Sequence, residues 1–212
     1  MNKNILKTGT TTVGIVCKDG IVLAADKRAS AGYMVVNKKE RKVIKINDDI
    51  AITTAGLVSD IQLLTKLIRA QLKLLEVRNG KKVTIKQAAN IMANMVYNSI
   101  RRPSMIPSIV GFLFAGRDDR GFHLYEIGID GSLMLSDEYA ADGSGMQFAI
   151  GTLEATYRKD ITVTDGIKLA VKTINTALQR DIATGNGIDV FTITNKGVEL
   201  ILEKEVITKV IL

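Results

Sequence analysis

Apolar residues along this chain recur with two different periods. Up to residue 56 the pattern is short and strand-like. Thr11–Val16 is rich in β-branched residues, Lys18-Asp19-Gly20 makes a turn, and Ile21–Ala25 resumes the apolar run, which predicts a hairpin. Tyr33–Val36 and Val43–Ile46 predict two short strands, and Ile50–Ala55 another that ends at Gly56. Helical spacing then takes over. Ile61, Leu64, Leu67, Ile68, Leu72 and Leu75 share one face, with Ser59 or Asp60 as N-cap and Arg78-Asn79-Gly80 as the stop. Thr84 and Gln87 have capping-box spacing and open a second helix through Ile91, Met92, Met95 and Tyr97. Pro103 and Pro107 bracket the loop that follows.

Strands return at Ile109–Ala115, Phe122–Gly128 and Leu133–Leu135, joined by Asp118-Asp119-Arg120-Gly121 and Asp130-Gly131. A third helix is expected over Met146–Tyr157. A fourth runs from about Thr164 to Ile182, with Ile167, Val171, Ile174 and Leu178 on one stripe. Gly185-Asn186-Gly187 ends it, and Ile188–Thr194 pairs with Val198–Leu202 across Asn195-Lys196-Gly197. The order is strands, two helices, strands, two helices, strands. That is not βαβ alternation, so a parallel sheet is disfavoured. The expected class is α+β, as a four-layer α/β/β/α sandwich of antiparallel sheets flanked by helix pairs. No repeat, low-complexity segment or linker divides the chain, which predicts a single domain.

Composition narrows the chemistry. Among 212 residues there is one histidine, His123, and one cysteine, Cys17. A single cysteine makes no internal disulfide framework, and one His with one Cys cannot supply the usual zinc set, so no metal site is expected. A hydrolase with a histidine base would depend on His123 alone. His123 lies between Phe122 and Leu124 in a strand and reads as structural. Cys17 continues the Val13/Ile15 alternation and reads as a buried, inert thiol. Formal charge is +7, which invites a nucleic-acid reading. The basic residues are nevertheless spread among acids, densest at Asn37–Lys45, aromatics are only 5%, and no nucleic-acid-binding signature stands out. No nucleic acid is therefore expected as partner. The longest apolar uncharged window, Pro103–Gly116, has 14 residues, short of the roughly 18–20 that span a membrane. Met1–Gly9 lacks the apolar core of a secretory signal, so the expected compartment is cytoplasmic.

Two short stretches could carry chemistry. Gly143-Ser144-Gly145 opens a helix, as a tight turn or as an anion cradle of backbone N–H groups. Thr8-Gly9-Thr10-Thr11-Thr12-Val13-Gly14 sets a threonine after a glycine, directly before a strand. It reads as a β-rich strand start, since threonine favours strands. It also reads as a nucleophile. Cleavage after Gly9 would free the α-amine of Thr10, which titrates near pH 8 and can take the proton of its own residue's hydroxyl. Glycine leaves its carbonyl open to attack.

The chain resembles archaeal 20S proteasome β subunits, which are self-processing N-terminal-nucleophile hydrolases. The likeness covers nearly the whole chain. It rests on Gly9-Thr10-Thr11-Thr12-Val13-Gly14, Ala24-Ala25-Asp26-Lys27-Arg28, Arg41-Lys42-Val43-Ile44, Thr54-Ala55-Gly56-Leu57, Gly143-Ser144-Gly145 and Gln179-Arg180-Asp181, in order and at family-like spacing. The resemblance implies a role for each matching residue. Thr10 matches the nucleophile, and Asp26 with Lys42 the acid–lysine pair beside it. Gly56 matches the residue whose backbone N–H holds the oxyanion. Ser144 and Asp181 match polar residues supporting the threonine amine and the catalytic water; Thr184 stands where the family usually has serine. Ser30 matches the hydroxyl-bearing position that aligns the substrate backbone. Ala29, Ile44, Thr54 and Val58 match the pocket for the side chain before the cut.

The resemblance further implies a leading segment, residues 1–9, removed by self-cleavage at Gly9–Thr10, and a peptidase domain over 10–212. Acyl transfer would run through a Thr10 ester with no metal or organic cofactor. The implied partners are other β subunits in seven-membered rings, α subunits, unfolded polypeptide and, through the α ring, an ATP-dependent unfoldase. A structural ring subunit that stays unprocessed is the alternative within the same particle. A bacterial two-ring relative is a further option, opposed by the Asp26-Lys27-Arg28 pattern and the extra C-terminal length.

Overall fold

A computed structural model describes residues 9–206. The expected leading segment therefore lies, apart from Gly9, outside the described residues. The chain opens with the hairpin β1 (Thr12–Cys17) and β2 (Gly20–Asp26), then a small hairpin, β3 (Ala29–Ala31) and β4 (Met34–Asn37). Strands β5 (Val43–Lys45) and β6 (Ile50–Gly56) lead into helices α1 (Val58–Asn79) and α2 (Ile85–Ile100). Strands β7 (Val110–Asp118), β8 (Gly121–Ile127), β9 (Leu133–Ser136) and β10 (Tyr139–Asp142) follow. Helices α3 (Met146–Thr156) and α4 (Val163–Arg180) and strands β11 (Gly187–Thr194) and β12 (Gly197–Glu205) complete the order.

Two five-stranded sheets form, in the orders β10-β1-β2-β11-β12 and β5-β6-β7-β8-β9. Their pairings are antiparallel. Three apolar layers hold them in a sandwich. Ile68, Leu72, Ile85 and Met92 of the first helix pair pack on Ile52, Phe112 and Phe114 of the second sheet. Leu169, Ala170 and Ile174 of α4 pack on Val13, Ile15, Val22 and Ala24 of the first. Between the sheets lie Ile21, Leu23 and Ala25 of β2 with Leu113 and Ala115 of β7. Both faces of β2 are thus buried, so its sequence reads as an unbroken apolar run, while period two still sorts its side chains between layers. The four-layer α/β/β/α sandwich is the fold expected from the order of elements.

Local signals mostly act as their chemistry predicts. Thr84 accepts the Gln87 backbone N–H at 3.3 Å, and the Gln87 side chain accepts the Thr84 N–H at 3.0 Å, closing the capping box. Gly80 ends α1 in the left-handed conformation. The expected N-cap of α1 was misplaced. The helix begins at Val58, and Leu57 is the cap without any side-chain bond, because the chain passes directly from β6 into the helix. Asp60 lies instead in the first turn, where its charge suits the helix dipole. Leu67, placed on the apolar face, is 45% exposed. Tyr33 lies in the β3–β4 turn rather than a strand. Helix α4 ends at Arg180, before the expected Ile182, because the backbone turns extended at Asp181, which caps the helix. Strands β3 and β10 were not anticipated. Both are short and lack a clear alternation, and their pairing partners define them.

His123 bonds Asp118 at 3.2 Å, and Asp118 also accepts the N–H of Ile85, the first residue of α2. Cys17 is buried against Val22 and Gly166. Burial, with a smaller contribution from Asp19, pushes its thiol up to about 12. At pH 8 the thiolate fraction is then roughly one in ten thousand. Iodoacetamide at pH 8 should leave Cys17 unmodified in the native protein and alkylate it in denaturant, as read by intact mass. Native labelling as fast as denatured labelling would contradict the buried placement.

Candidate active site

The site forms where the start of β1 meets the end of β2. Backbone pairing places Thr12 opposite Ala25, so Gly9, Thr10 and Thr11 run beside Asp26. The Asp26 carboxylate is fully buried. Its Oδ1 accepts the Thr11 N–H at 2.9 Å and Lys42 Nζ at 2.7 Å. Its Oδ2 accepts the N–H groups of Arg28 at 3.0 Å and Gly185 at 2.9 Å. A buried carboxylate needs such saturation to stay ionised.

Lys42 immediately precedes β5, and its carbonyl accepts the N–H of Thr54 on β6, which pins the lysine backbone. Lys42 is 4% exposed. Nζ reaches past Asp26 to the Gly9 carbonyl oxygen at 3.1 Å. The Thr10 hydroxyl donates to that same oxygen at 2.7 Å. Burial holds the Lys42 ammonium below the usual lysine range, and the Asp26 carboxylate partly offsets this. A larger share of this nitrogen is therefore free amine, with a lone pair open to a proton, than for a surface lysine.

A second group of residues supports the other side of Thr10. Ser144 Oγ accepts the Thr10 N–H at 3.1 Å and donates to Asp181 Oδ2 at 2.6 Å. Thr184 donates to the same Oδ2 at 2.5 Å. Its one hydroxyl proton being used there, Thr11 is the donor in the 2.6 Å bond between Thr11 Oγ1 and Thr184 Oγ1. Thr184, which stands where the family usually has serine, thus bonds both Asp181 and Thr11 through its hydroxyl. Gly143 has φ +96° and passes so close to Thr10 that a Cβ there would lie 2.2 Å from the Thr10 carbonyl oxygen. Of the two readings of Gly143-Ser144-Gly145, the structure shows a tight turn.

A cavity of about 480 Å³ opens beside Thr10. Gly9, Ala29, Ser30, Lys42, Ile44, Thr54, Gly56 and Val58 all line it. Asp26, Ser144, Asp181 and Thr184 do not face this cavity; they reach the threonine run from behind. The expected residues therefore converge on Thr10 from two sides, having come from the run before β1, the lysine before β5, β2, β3, β5, β6, α1 and the loops flanking α3 and α4. Sequence reasoning did not find Glu40, Gln62, Thr65, Lys66 and Arg69 in the lining. Spacing on α1 could have found four of them, since Val58, Gln62, Thr65, Lys66 and Arg69 recur at three and four residues. It also missed the brace from Arg28, which donates to the Ile182 carbonyl at 2.7 Å and to Asn186 at 2.8 Å, holding the loop that carries Thr184. A second cavity, about 440 Å³ and lined by Asp49, Lys82, Arg117 and Asp118, contains none of the expected residues.

A profile of the proteasome subunit family matches residues 6–193. The chain belongs to the proteasome subunit family. Proteasome subunit beta of Archaeoglobus profundus is 43% identical over 203 residues, covering 96% of this chain and 92% of that protein. Proteasome subunit beta 2 of Pyrococcus abyssi is 47% identical over 189 residues, covering 89% and 88%. Proteasome subunit beta 1 of Thermococcus onnurineus is 42% identical, covering 93% and 95%. The family match takes in every residue of the threonine-centred site, from Gly9 to Gly185. Gly143→Ala should displace Thr10 and destabilise the chain by about 2 kcal/mol or more, from positive φ and the clash with backbone. Chemical denaturation of the variant reads this; an unchanged midpoint would argue against the close approach.

Proposed function

We propose that this chain is a catalytic β subunit of a 20S proteasome core, a threonine endopeptidase that frees its own nucleophile by cutting Gly9–Thr10. The observation that carries this reading is the shared oxygen: Thr10 Oγ1 and Lys42 Nζ both bond the Gly9 carbonyl, with Asp26 fixing the lysine from behind. In the uncut chain the Thr10 nitrogen is an amide and has no basic lone pair. Lys42 is then the basic group beside the hydroxyl, and its buried amine accepts the proton as Oγ1 attacks the Gly9 carbonyl carbon. The C–N bond breaks, the nitrogen takes up a proton, and residues 1–9 remain as an ester on Thr10. Water hydrolyses that ester.

The product is a Thr10 with a free amine and a free hydroxyl. Further peptides follow the same acyl transfer, with the new amine available as base near neutral pH. Ser144 and Asp181 are placed to hold that amine and the attacking water. Gly56, on the cavity wall, supplies its N–H to the oxyanion in this scheme. The cavity receives the side chain before the cut through Ala29, Ile44, Thr54 and Val58, while Ser30 aligns the peptide backbone. The reading places the chain in seven-membered β rings against α subunits, acting in the cytoplasm on unfolded polypeptide. Leu63, Leu74 and Val77 of α1, 55%, 52% and 70% exposed, support a contact face for neighbouring subunits.

Intact mass of the chain after assembly with α subunits should show loss of residues 1–9. A chain that keeps them is instead the unprocessed ring subunit. Thr10→Ala should retain residues 1–9 and lower hydrolysis of fluorogenic peptides by about 10³-fold or more, whereas Thr10→Ser keeps measurable turnover. Asp26→Asn removes the charge that favours the ammonium, so the Lys42 pKa falls further. The acid limb of the self-cleavage rate against pH should move to lower pH, on a rate reduced about 10²-fold. An acid limb that stays in place or rises would remove Lys42 from the role of base.

A further inference from the structure

We propose that the side-chain hydroxyl of Ser30 is a positioning residue for self-cleavage, holding the N–H of Gly9 while Thr10 attacks the Gly9 carbonyl. This rests on the reading of Gly9–Thr10 as the self-cleavage site and assigns a device that orients it. The Gly9 N–H donates to Ser30 Oγ at 3.0 Å. Ser30 is 7% exposed, on β3 of the small hairpin outside both main sheets. The β3–β4 register is broken between Ala29 and Ser30. Such an irregularity re-aims the next side chain, and here the Ser30 hydroxyl points at Gly9.

Gly9 is thereby held on three sides. Its N–H is on Ser30 and its carbonyl oxygen on Lys42. On the third side Ala183 leaves no room, since a Cβ on residue 9 would fall 1.9 Å from the Ala183 Cβ and 2.7 Å from its backbone. Attack closes a five-membered ring through Oγ1, Cβ, Cα and N of Thr10 and the Gly9 carbonyl carbon. That ring forms only when the carbonyl face is turned toward the hydroxyl. Anchoring the N–H at one end of Gly9 and the oxygen at the other fixes the rotation between them, and with it the face presented. Orientation of this kind raises an intramolecular rate without any proton passing through Ser30. Cutting removes Gly9, and the Ser30 hydroxyl is then free for the backbone of an incoming peptide.

Self-cleavage is a single intramolecular turnover, so its rate contains no KM and reports orientation directly. Ser30→Ala should slow loss of residues 1–9 about tenfold per assembled particle, the scale of one lost hydrogen bond. Its self-cleavage pH profile should keep the wild-type shape, because Ser30 does not titrate. Ser30→Thr, which keeps the hydroxyl, should restore most of the rate. Ser30→Cys, of similar size and a weaker acceptor, should fall between and serves if the alanine variant fails to assemble. Wild-type speed in Ser30→Ala or Ser30→Cys, or a threonine variant no faster than alanine, would overturn the proposal. A changed pH profile would also overturn it, by giving Ser30 a part in proton transfer. Wild-type chain that never loses residues 1–9 would instead defeat the catalytic reading on which this rests.

Discussion

The Asp26 carboxylate, buried without access to water, accepts hydrogen bonds from four separate parts of the chain. An ionised carboxylate in such a place is tolerable only when every lone pair is engaged. Its partners are therefore tied to one another. The run into β1, the start of the small hairpin, the lysine ahead of β5 and the loop after α4 are held at fixed distances from a single group. Thr10 is positioned as a consequence, because its neighbour Thr11 is bonded to Asp26 and the lysine that reaches Gly9 is bonded there too.

The sandwich makes that convergence possible. Burying β1 and β2 on both faces leaves their ends as the place where chain can approach without being covered by a helix. Asp26 stands at the last position of β2, where the apolar run Ile21–Ala25 gives way to charge. The layer between the sheets, built from Leu23, Ala25, Leu113 and Ala115, brings β6 of one sheet to β1 of the other. Without that layer, Thr54 and Gly56 would not share a cavity with Thr10. In the proposed self-cleavage, rigidity here serves the chemistry, since a hydroxyl and an amine meeting on one carbonyl oxygen must hold their geometry closely.

Local chemistry carried much of the secondary structure. The Thr84/Gln87 box, the Gly80 stop and the strand pairs around Asp119-Arg120 and Asn195-Lys196 act through neighbours in sequence, so they are readable there. Strand β10 is different. Tyr139–Asp142 has little alternation, and it becomes a strand because β1 offers an edge. Leu67 lies at the margin of the helical stripe that Leu64 and Ile68 share, and it stays 45% exposed while they are buried.

The sequence by itself determined the order of elements, the layered class and the residue types of the site, because apolar periodicity and short motifs act locally. It also brought forward Thr10 through the scarcity of histidine and cysteine, and family likeness added Asp26 and Lys42. On sequence alone Lys42 is one charge in a basic run. Only the tertiary structure set it apart from Lys38, Lys39 and Lys45, by burying it against Asp26 and aiming it at Gly9. The same holds for Ser30 and Arg28, whose partners lie 21 and more than 150 residues away. Bonds of that range depend on how sheets and loops close in three dimensions, and no local pattern encodes them.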